Sequence, residues 1–383
     1  MTGTERGMGE GAVAGTAADG DAIESRVRAL VREEIRALSA YAVPDATGMI
    51  KLDAMENPYR WPDALRRPWL DDLAEAPLNR YPDPRADALR ARIARTFGVP
   101  PGQELMLGNG SDELIQLLCL AVAGPGRVVM APEPGFVMYD MIARFTGMRY
   151  VGVPLDPRDF SLDLDAMLEA VARERPAILF LACPNNPTGN LFAADAIRRL
   201  IAAAPGLVVV DEAYSAFTDA SFLPELGHHP NLLVMRTFSK LGLAGLRLGW
   251  LAGPGPWLRE LDKLRLPYNI NVLSQRSALF ALEHFAVLEE QTARIRADRD
   301  RLAEALARIP GIRVFPSEAN FLLFRVPAGS AGRVHAGLRE RGVLIKNLDR
   351  PDTPLADCMR VTVGTPAENA AFLGALGEIL ETP

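Results

Sequence analysis

The chain has 383 residues, 49% of them hydrophobic, enough to bury a large core and to form two domains or one large domain with a satellite. A formal net charge of -6 with no cluster of basic residues argues against a nucleic-acid partner. No stretch approaches the roughly 18 uninterrupted apolar residues of a membrane helix, and the first residues lack a signal-peptide pattern, so no membrane partner and a cytoplasmic location are expected. Cys119, Cys183 and Cys358 are widely spaced without a CxxC pair, so neither a disulfide framework nor a metal site is expected.

Residues 1–20, rich in Gly, Ala and Thr, read as a disordered leader. From Ile23, the residues Val27, Leu30, Val31, Ile35 and Leu38 fall on one helical face, so 21–50 is expected to be a docking helix and arm. Its partner is either the rest of the chain or a second subunit. From about residue 87, apolar runs alternate with helix-length segments. A helix follows Ser111-Asp112, and strands are expected at Arg127–Ala131, Ala177–Ala182, Leu207–Val210, Leu232–Met235 and Leu248–Ala252. Such interleaving predicts a mainly parallel sheet covered on both faces, with ligands held by loops at the strand ends. Asn186, Asp211 and Lys240 all lie at or just after such ends. Beyond a helical stretch at 284–308, strands at Ile312–Phe315, Asn320–Val326, Val343–Ile345 and Met359–Val363 and a helix at 331–341 suggest a smaller α+β unit. The boundary is placed near 275, giving a large domain at 51–275 and a small one at 276–383.

Three segments carry chemistry. Arg236-Thr237-Phe238-Ser239-Lys240, followed by Leu246-Arg247, sets a lysine amine beside a hydroxyl and a guanidinium, which suits an aldehyde cofactor bearing a phosphate. Asp211 follows four apolar residues, and a buried carboxylate is tolerated chiefly when it is paired; the alternative is a helix N-cap. Gly108-Asn109-Gly110-Ser111-Asp112 precedes an apolar helix, whose free N–H groups would make an anion site; the alternative is a plain helix start capped by Ser111. Asn186, in Asn-Pro-Thr-Gly, also serves turn formation.

KLDAMENPY (51–59), RYPDP (80–84), GNGSDELI (108–115), CPNNPTG (183–189), VVDEAY (209–214), TFSKLGLAGLRLG (237–249) and MRVTVGTPAEN (359–369), in this order, resemble the fold-type I pyridoxal-phosphate aminotransferases from about Lys51 to the end. Within that group the chain looks most like the histidinol-phosphate aminotransferases. The resemblance implies an α/β fold: a mainly parallel, seven-stranded-type cofactor domain with a smaller α+β C-terminal domain. It implies pyridoxal 5'-phosphate held as a Schiff base by Lys240, with its ring nitrogen paired to Asp211. Tyr214 and Asn186 would donate to its phenolate oxygen and Tyr139 would lie against its ring. Its phosphate would be held by Gly110, Ser111, Asp112, Ser239 and Arg247, and by Tyr81 of a neighbouring subunit. Substrate contacts implied are Arg360, Lys346, Asn57, Asn186 and, across a dimer, Tyr41. Lys346 stands where the family carries arginine, which keeps the charge and loses the planar fork. The implied reaction moves the amino group of L-histidinol phosphate to 2-oxoglutarate in a homodimer, with an aromatic amino-acid aminotransferase or a phosphothreonine decarboxylase as alternatives. A cofactor-sensing DNA-binding regulator is disfavoured, because roughly fifty residues precede the resemblance and they are not basic.

Overall fold

The computed structural model describes residues 16–40 and 43–381; the expectations for residues 1–15 and for Tyr41 lie outside the described residues. The described residues fall into two compact units, divided between Pro44 and Asp45. In the first, a helix runs over Thr16–Leu30 and a short one over Glu33–Arg36. The helix expected from Ile23 thus begins within the segment expected to be leader. Ala17 and Ala18 add helix propensity there, and Glu24 pairs with Arg28 one turn on.

The strands, in chain order, are β1 (Ile50–Leu52), β2 (Gln103–Gly108), β3 (Val128–Glu133), β4 (Arg149–Pro154), β5 (Ile178–Ala182), β6 (Leu207–Asp211), β7 (Leu232–Thr237), β8 (Gly249–Pro254), β9 (Arg313–Val314), β10 (Phe321–Arg325), β11 (Val343–Asn347) and β12 (Cys358–Thr362). Seven form one sheet in the order β2-β8-β7-β6-β5-β3-β4, in which β8 alone runs antiparallel to its neighbours. The expected mainly parallel α/β sheet is therefore present. β2 and β4 were not anticipated, since QELMLG and RYVGVP mix polar or glycine residues into the apolar run.

The uninterrupted apolar character of β5 and β6 follows from burial on both faces. Leu207 and Val209 pack into one hydrophobic layer with Ile178 and Phe180, while Val208 and Val210 pack into the opposite layer with Leu179 and Leu181. The winding reverses between β3 and β5, so the loops after these two strands separate and leave a crevice at their carboxyl ends.

The second sheet has the order β1-β11-β12-β10-β9. A third core lies between it and the helices Phe285–Ala307, Ala331–Glu340 and Pro366–Glu381. β1 pairs in parallel with β11, Lys51 opposite Leu344. Residues 50–52 thus belong to the sheet built by the C-terminal part of the chain, although sequence order had placed Lys51 with the first. The segment that follows β1 consequently leads from the smaller sheet to the crevice of the larger one. No helix among the described residues is long and apolar enough to cross a membrane.

Candidate active site

A cavity of about 220 Å³ opens at the carboxyl ends of β5, β6 and β7. Its wall gathers Ser111, Asp112, Asn186, Asp211, Tyr214, Ser239, Lys240 and Arg247 from segments up to 136 residues apart in sequence (247 minus 111). Parallel neighbouring strands make this possible: their carboxyl ends lie side by side, so the loops after each converge.

Asp211 is the last residue of β6 and is 4% exposed. Its Oδ1 accepts from the Ala213 N–H at 3.0 Å and its Oδ2 accepts from the Tyr139 hydroxyl at 2.7 Å. It does not cap a regular helix; Oδ1 closes a local turn instead. Burial pushes the carboxyl up to about 6, against the pull of these two donors. A cationic ring nitrogen brought to the cavity would offset that cost.

Lys240 lies in a short 3₁₀ turn after β7, Ser239–Leu241. Its Nζ donates to the Ala54 carbonyl at 3.1 Å and sits 5.9 Å from the centroid of the Tyr214 ring. Burial, then the charge of Arg360, lowers its ammonium to about 8. Near neutrality about a tenth of the amine is therefore unprotonated, far more than for an ordinary lysine, as a nucleophile requires.

The helix Gly110–Val122 starts at the cavity edge without a side-chain cap from Asn109. Gly110 is at φ +76, and a Cβ there would stand 2.9 Å from Arg247 Nη2. Ser111 lies inside the first turn, so it is not the N-cap, and it lines the cavity together with Ser239 and Arg247. Thr237 Oγ1 donates to Ser239 Oγ at 3.0 Å and orients it. The Arg247 guanidinium lies 3.7 Å from Asp112 Oδ2. The Asp112 side chain thus shares in the site, and burial pushes its carboxyl up although Arg247 and Lys240 pull it down.

Arg360, on β12, is 7% exposed; its Nη1 donates to Asn186 Oδ1 at 2.5 Å and its Nη2 to the Asp53 carbonyl at 3.0 Å. Asn186 therefore presents its amide nitrogen, the donor end, to the cavity it lines. Lys346 is the register partner of Arg360 on β11, so two cations stand opposite one another on adjacent strands.

Six expected positions among the described residues are not in the wall: Gly110, Arg360 and Lys346, placed above, and Tyr139, Asn57 and Tyr81. Tyr139 does not line the cavity: it is 1% exposed, stacked on Phe180 at 4.5 Å and bonded to Asp211 from behind. Phe136, three residues earlier, lines the wall instead, as does Tyr214. A sequence signal existed, since Tyr139, Ile142 and Ala143 form the buried stripe of the helix Met138–Phe145, whereas Phe136 lies in the loop before it. Asn57 is a brace, its Nδ2 donating to the Leu241 carbonyl at 3.2 Å and to Gln291 Oε1 at 3.0 Å. Tyr81 is 80% exposed and stacked on Tyr268 at 4.5 Å. Thr237 and the segment Ala54-Met55-Glu56 also line the cavity and were not singled out. Their signal was weak: a threonine at a strand end and a short mixed loop are common.

Behind Asp211, Glu212 is 1% exposed and accepts from Arg236 Nε and Nη2 at 2.9 and 2.7 Å and from Ser221 Oγ at 3.0 Å, which ties the segment after β6 to β7. Among the described residues no group of His, Cys, Asp and Glu side chains is arranged to hold a metal ion.

A buried carboxylate, a lysine amine and an anion cradle around one crevice of a mainly parallel sheet define an aminotransferase-type site, and the chain belongs to the class I and II aminotransferase family, whose model matches residues 47–376. Its curated relatives narrow the group. A histidinol-phosphate aminotransferase 2 of Nitrosococcus oceani is 55% identical over 353 residues, covering 92% of this chain and 98% of its own. One of the same name from Cupriavidus pinatubonensis is 55% identical over 362 residues, with 93% and 98% covered. The solved histidinol-phosphate aminotransferase of Sinorhizobium meliloti in complex with pyridoxal-5'-phosphate is similar with a TM-score of 0.82 at 25% identity, covering 92% of this chain and 98% of that one.

Proposed function

We propose that the cavity binds pyridoxal 5'-phosphate and that the protein is a histidinol-phosphate transaminase, moving the amino group of L-histidinol phosphate to 2-oxoglutarate. The observation that carries the cofactor reading is the spacing of three unlike groups around one crevice: a cationic anion cradle, a lysine amine and a buried carboxylate that wants a cationic partner. The amides of Ser111 and Asp112, the Ser239 hydroxyl and Arg247 would hold the phosphate, with Gly110 keeping the backbone close. Asp211 would pair with the ring nitrogen, Asn186 and Tyr214 with the phenolate oxygen, and Phe136 would flank the ring. When bound, the cofactor supplies a carbonyl that captures the substrate amine and a ring that accepts electron density.

The chain's own residues do the rest. Lys240 Nζ would take the proton from the amine-bearing carbon of L-histidinol phosphate in one half-reaction and deliver one to the corresponding carbon of the glutamate formed in the other, a task suited to an amine lowered to about 8. Arg360 and Lys346, on adjacent strands, hold the substrate phosphate in one half-reaction and the 2-oxoglutarate carboxylate in the other. The wall segment Ala54-Met55-Glu56 helps exclude water.

We also infer a homodimer in which Tyr81 reaches the neighbouring cavity. Tyr81 is exposed beside Leu78 and Leu273, both at least 40% exposed, and Ile23, Val27 and Leu30 of the N-terminal helix are exposed apolar residues too. We place the protein in the cytoplasm and divide its main unit near residue 275. The test is a half-reaction. Protein loaded with pyridoxal 5'-phosphate is mixed with L-histidinol phosphate without a keto acid, and loss of the cofactor's visible absorbance is followed. Rapid loss supports the reading. Loss with phenylalanine or tyrosine alone moves the substrate to an aromatic amino acid, and carbon dioxide release from phosphothreonine moves the reaction to decarboxylation. Mixing Tyr81→Phe with Lys240→Ala protein tests the shared site, because a mixed dimer would regain one intact cavity.

A further inference from the structure

Tyr139 has a different position from the one its sequence motif suggested, and that position gives it a task. Its ring lies flat on Phe180, with centroids 4.5 Å apart and planes 4° apart, and meets Phe136 edge-on at 5.5 Å. A phenylalanine would satisfy both contacts equally well. The hydroxyl adds only one thing, the 2.7 Å hydrogen bond to Asp211 Oδ2. The bond has one direction: burial and the neighbouring Asp211 charge push the phenol well above its ordinary range, so Tyr139 remains a protonated donor at any pH the protein meets.

Asp211 needs such a donor. It sits at the end of a strand buried on both faces, and the other ionisable groups that face it offer no help. Asp112 on the helix Gly110–Val122 and Glu212, next in the chain, both oppose its charge, and Tyr214 is itself buried and neutral. Lys240, in the same cavity, donates to the Ala54 carbonyl instead. Against burial and two acidic neighbours stand two donors: the Ala213 amide on Oδ1 and Tyr139 on Oδ2. The amide belongs to the residue's own turn, so Tyr139 is the donor contributed by a separate element.

We infer that Tyr139 is a positioning residue for Asp211: its hydroxyl keeps the carboxylate ionised and, with the Ala213 amide, fixes the plane in which the remaining lone pairs point into the cavity. This rests on the reading of Asp211 as partner of the cofactor ring nitrogen. A carboxylate held by one donor on each oxygen cannot rotate to follow a misplaced ring, so the pair also sets where the ring nitrogen must sit. Phe136 joins the same arrangement, since it touches Tyr139 on one side and lines the cavity on the other.

The test is a titration of the full-length protein freed of cofactor, with ¹³C-labelled aspartate carboxyl groups and the Asp211 signal assigned by its loss in Asp211→Asn. The wild-type signal is expected to titrate with a midpoint of about 6. Tyr139→Phe keeps the packing and removes one charge-assisted hydrogen bond, so the midpoint should rise by about one to two pH units. An unchanged midpoint overturns the inference. Phe180→Leu, which removes the stacking partner and leaves the hydroxyl, should leave the midpoint near the wild-type value; a rise equal to that of Tyr139→Phe would assign the effect to packing and overturn it as well. Because the titration contains no cofactor, its result is separable from the cofactor reading. If the midpoint rises in Tyr139→Phe while wild-type protein fails to bind pyridoxal 5'-phosphate in equilibrium dialysis, the role of Tyr139 stands and the reading of Asp211 as ring partner falls.

Discussion

Replacing Gly249 with alanine tests the proposed phosphate site through a residue that touches no ligand. Gly249 opens β8, opposite Gly108 on β2 and Thr237 on β7. A Cβ at this position would stand 2.7 Å from the Gly110 carbonyl carbon and 2.8 Å from the Ser111 nitrogen. Both are backbone atoms at the helix start, so neither can rotate away. Restoring an ordinary contact of 3.4 Å requires the helix start to retreat by 3.4 minus 2.7, or 0.7 Å. Overpacking of this kind costs about 1–3 kcal/mol of stability. The retreat also withdraws the Ser111 amide, and losing one charge-assisted hydrogen bond of about 1.5–3 kcal/mol weakens pyridoxal 5'-phosphate binding roughly 10- to 100-fold. Gly245→Ala is the control: nothing lies within 4 Å of its Cβ and its φ is ordinary, so stability should change by less than about 0.5 kcal/mol. The assay pairs urea denaturation of the cofactor-free protein with cofactor titration by fluorescence. If Gly249→Ala binds the cofactor as tightly as wild type, the helix start is not where the phosphate sits.

Lys240→Ala should still bind pyridoxal 5'-phosphate through the phosphate cradle while steady-state turnover falls by at least about a thousandfold; near-normal turnover would remove Lys240 from the proposed chemistry. The same lysine predicts a pH effect on the cofactor-free protein. Its folded value of about 8 lies below the ordinary 10.5, so the cost of its buried charge is complete below pH 8. Between 8 and 10.5 the unfolded chain holds the proton that the folded protein has released, so stability rises with pH in that window. Urea midpoints at pH 7 and 10, compared with those of Lys240→Met, should converge at the higher pH. Arg360→Ala should raise the KM for L-histidinol phosphate about 10- to 100-fold, with Arg360→Lys intermediate because the fork is lost and the charge kept; an unchanged KM in both would place the substrate phosphate elsewhere. Arg236→Ala leaves Glu212 buried without its ion-pair partner and should destabilise the protein by about 3–5 kcal/mol, read as a fall in urea midpoint.

Much of the site was legible because its residues sit at strand ends. Asp211 and Lys240 could be placed from the apolar runs before them, and the structure brings both to one wall with Ser239 and Arg247. The segments that failed to signal themselves were those whose role depends on a distant neighbour. β1 reads as the start of the first domain, yet it pairs with β11 almost three hundred residues later in the chain, Ile50 opposite Val343. β4 reads as a loop because its residues are only partly buried on the sheet edge. Asn57 carries no sequence mark that distinguishes a brace on Gln291 from a substrate contact.

By itself the sequence determined the alternation of strands and helices, the family and the chemical types available at the strand ends. The alternation and the turns follow from periodicity and local turn chemistry, which act over a few residues, whereas the family follows from the resemblance carried by the ordered motifs. Only the tertiary structure decided which aromatic faces the cavity. Tyr139 and Phe136 are three residues apart, and the start of a helix between them turns one ring into the core against Phe180 and leaves the other in the wall. It also decided the charge balance of Asp211 and Lys240. Burial, Arg360 and Tyr139 arise from separate segments, and electrostatic interaction in a poorly hydrated interior depends on distance in space rather than along the chain.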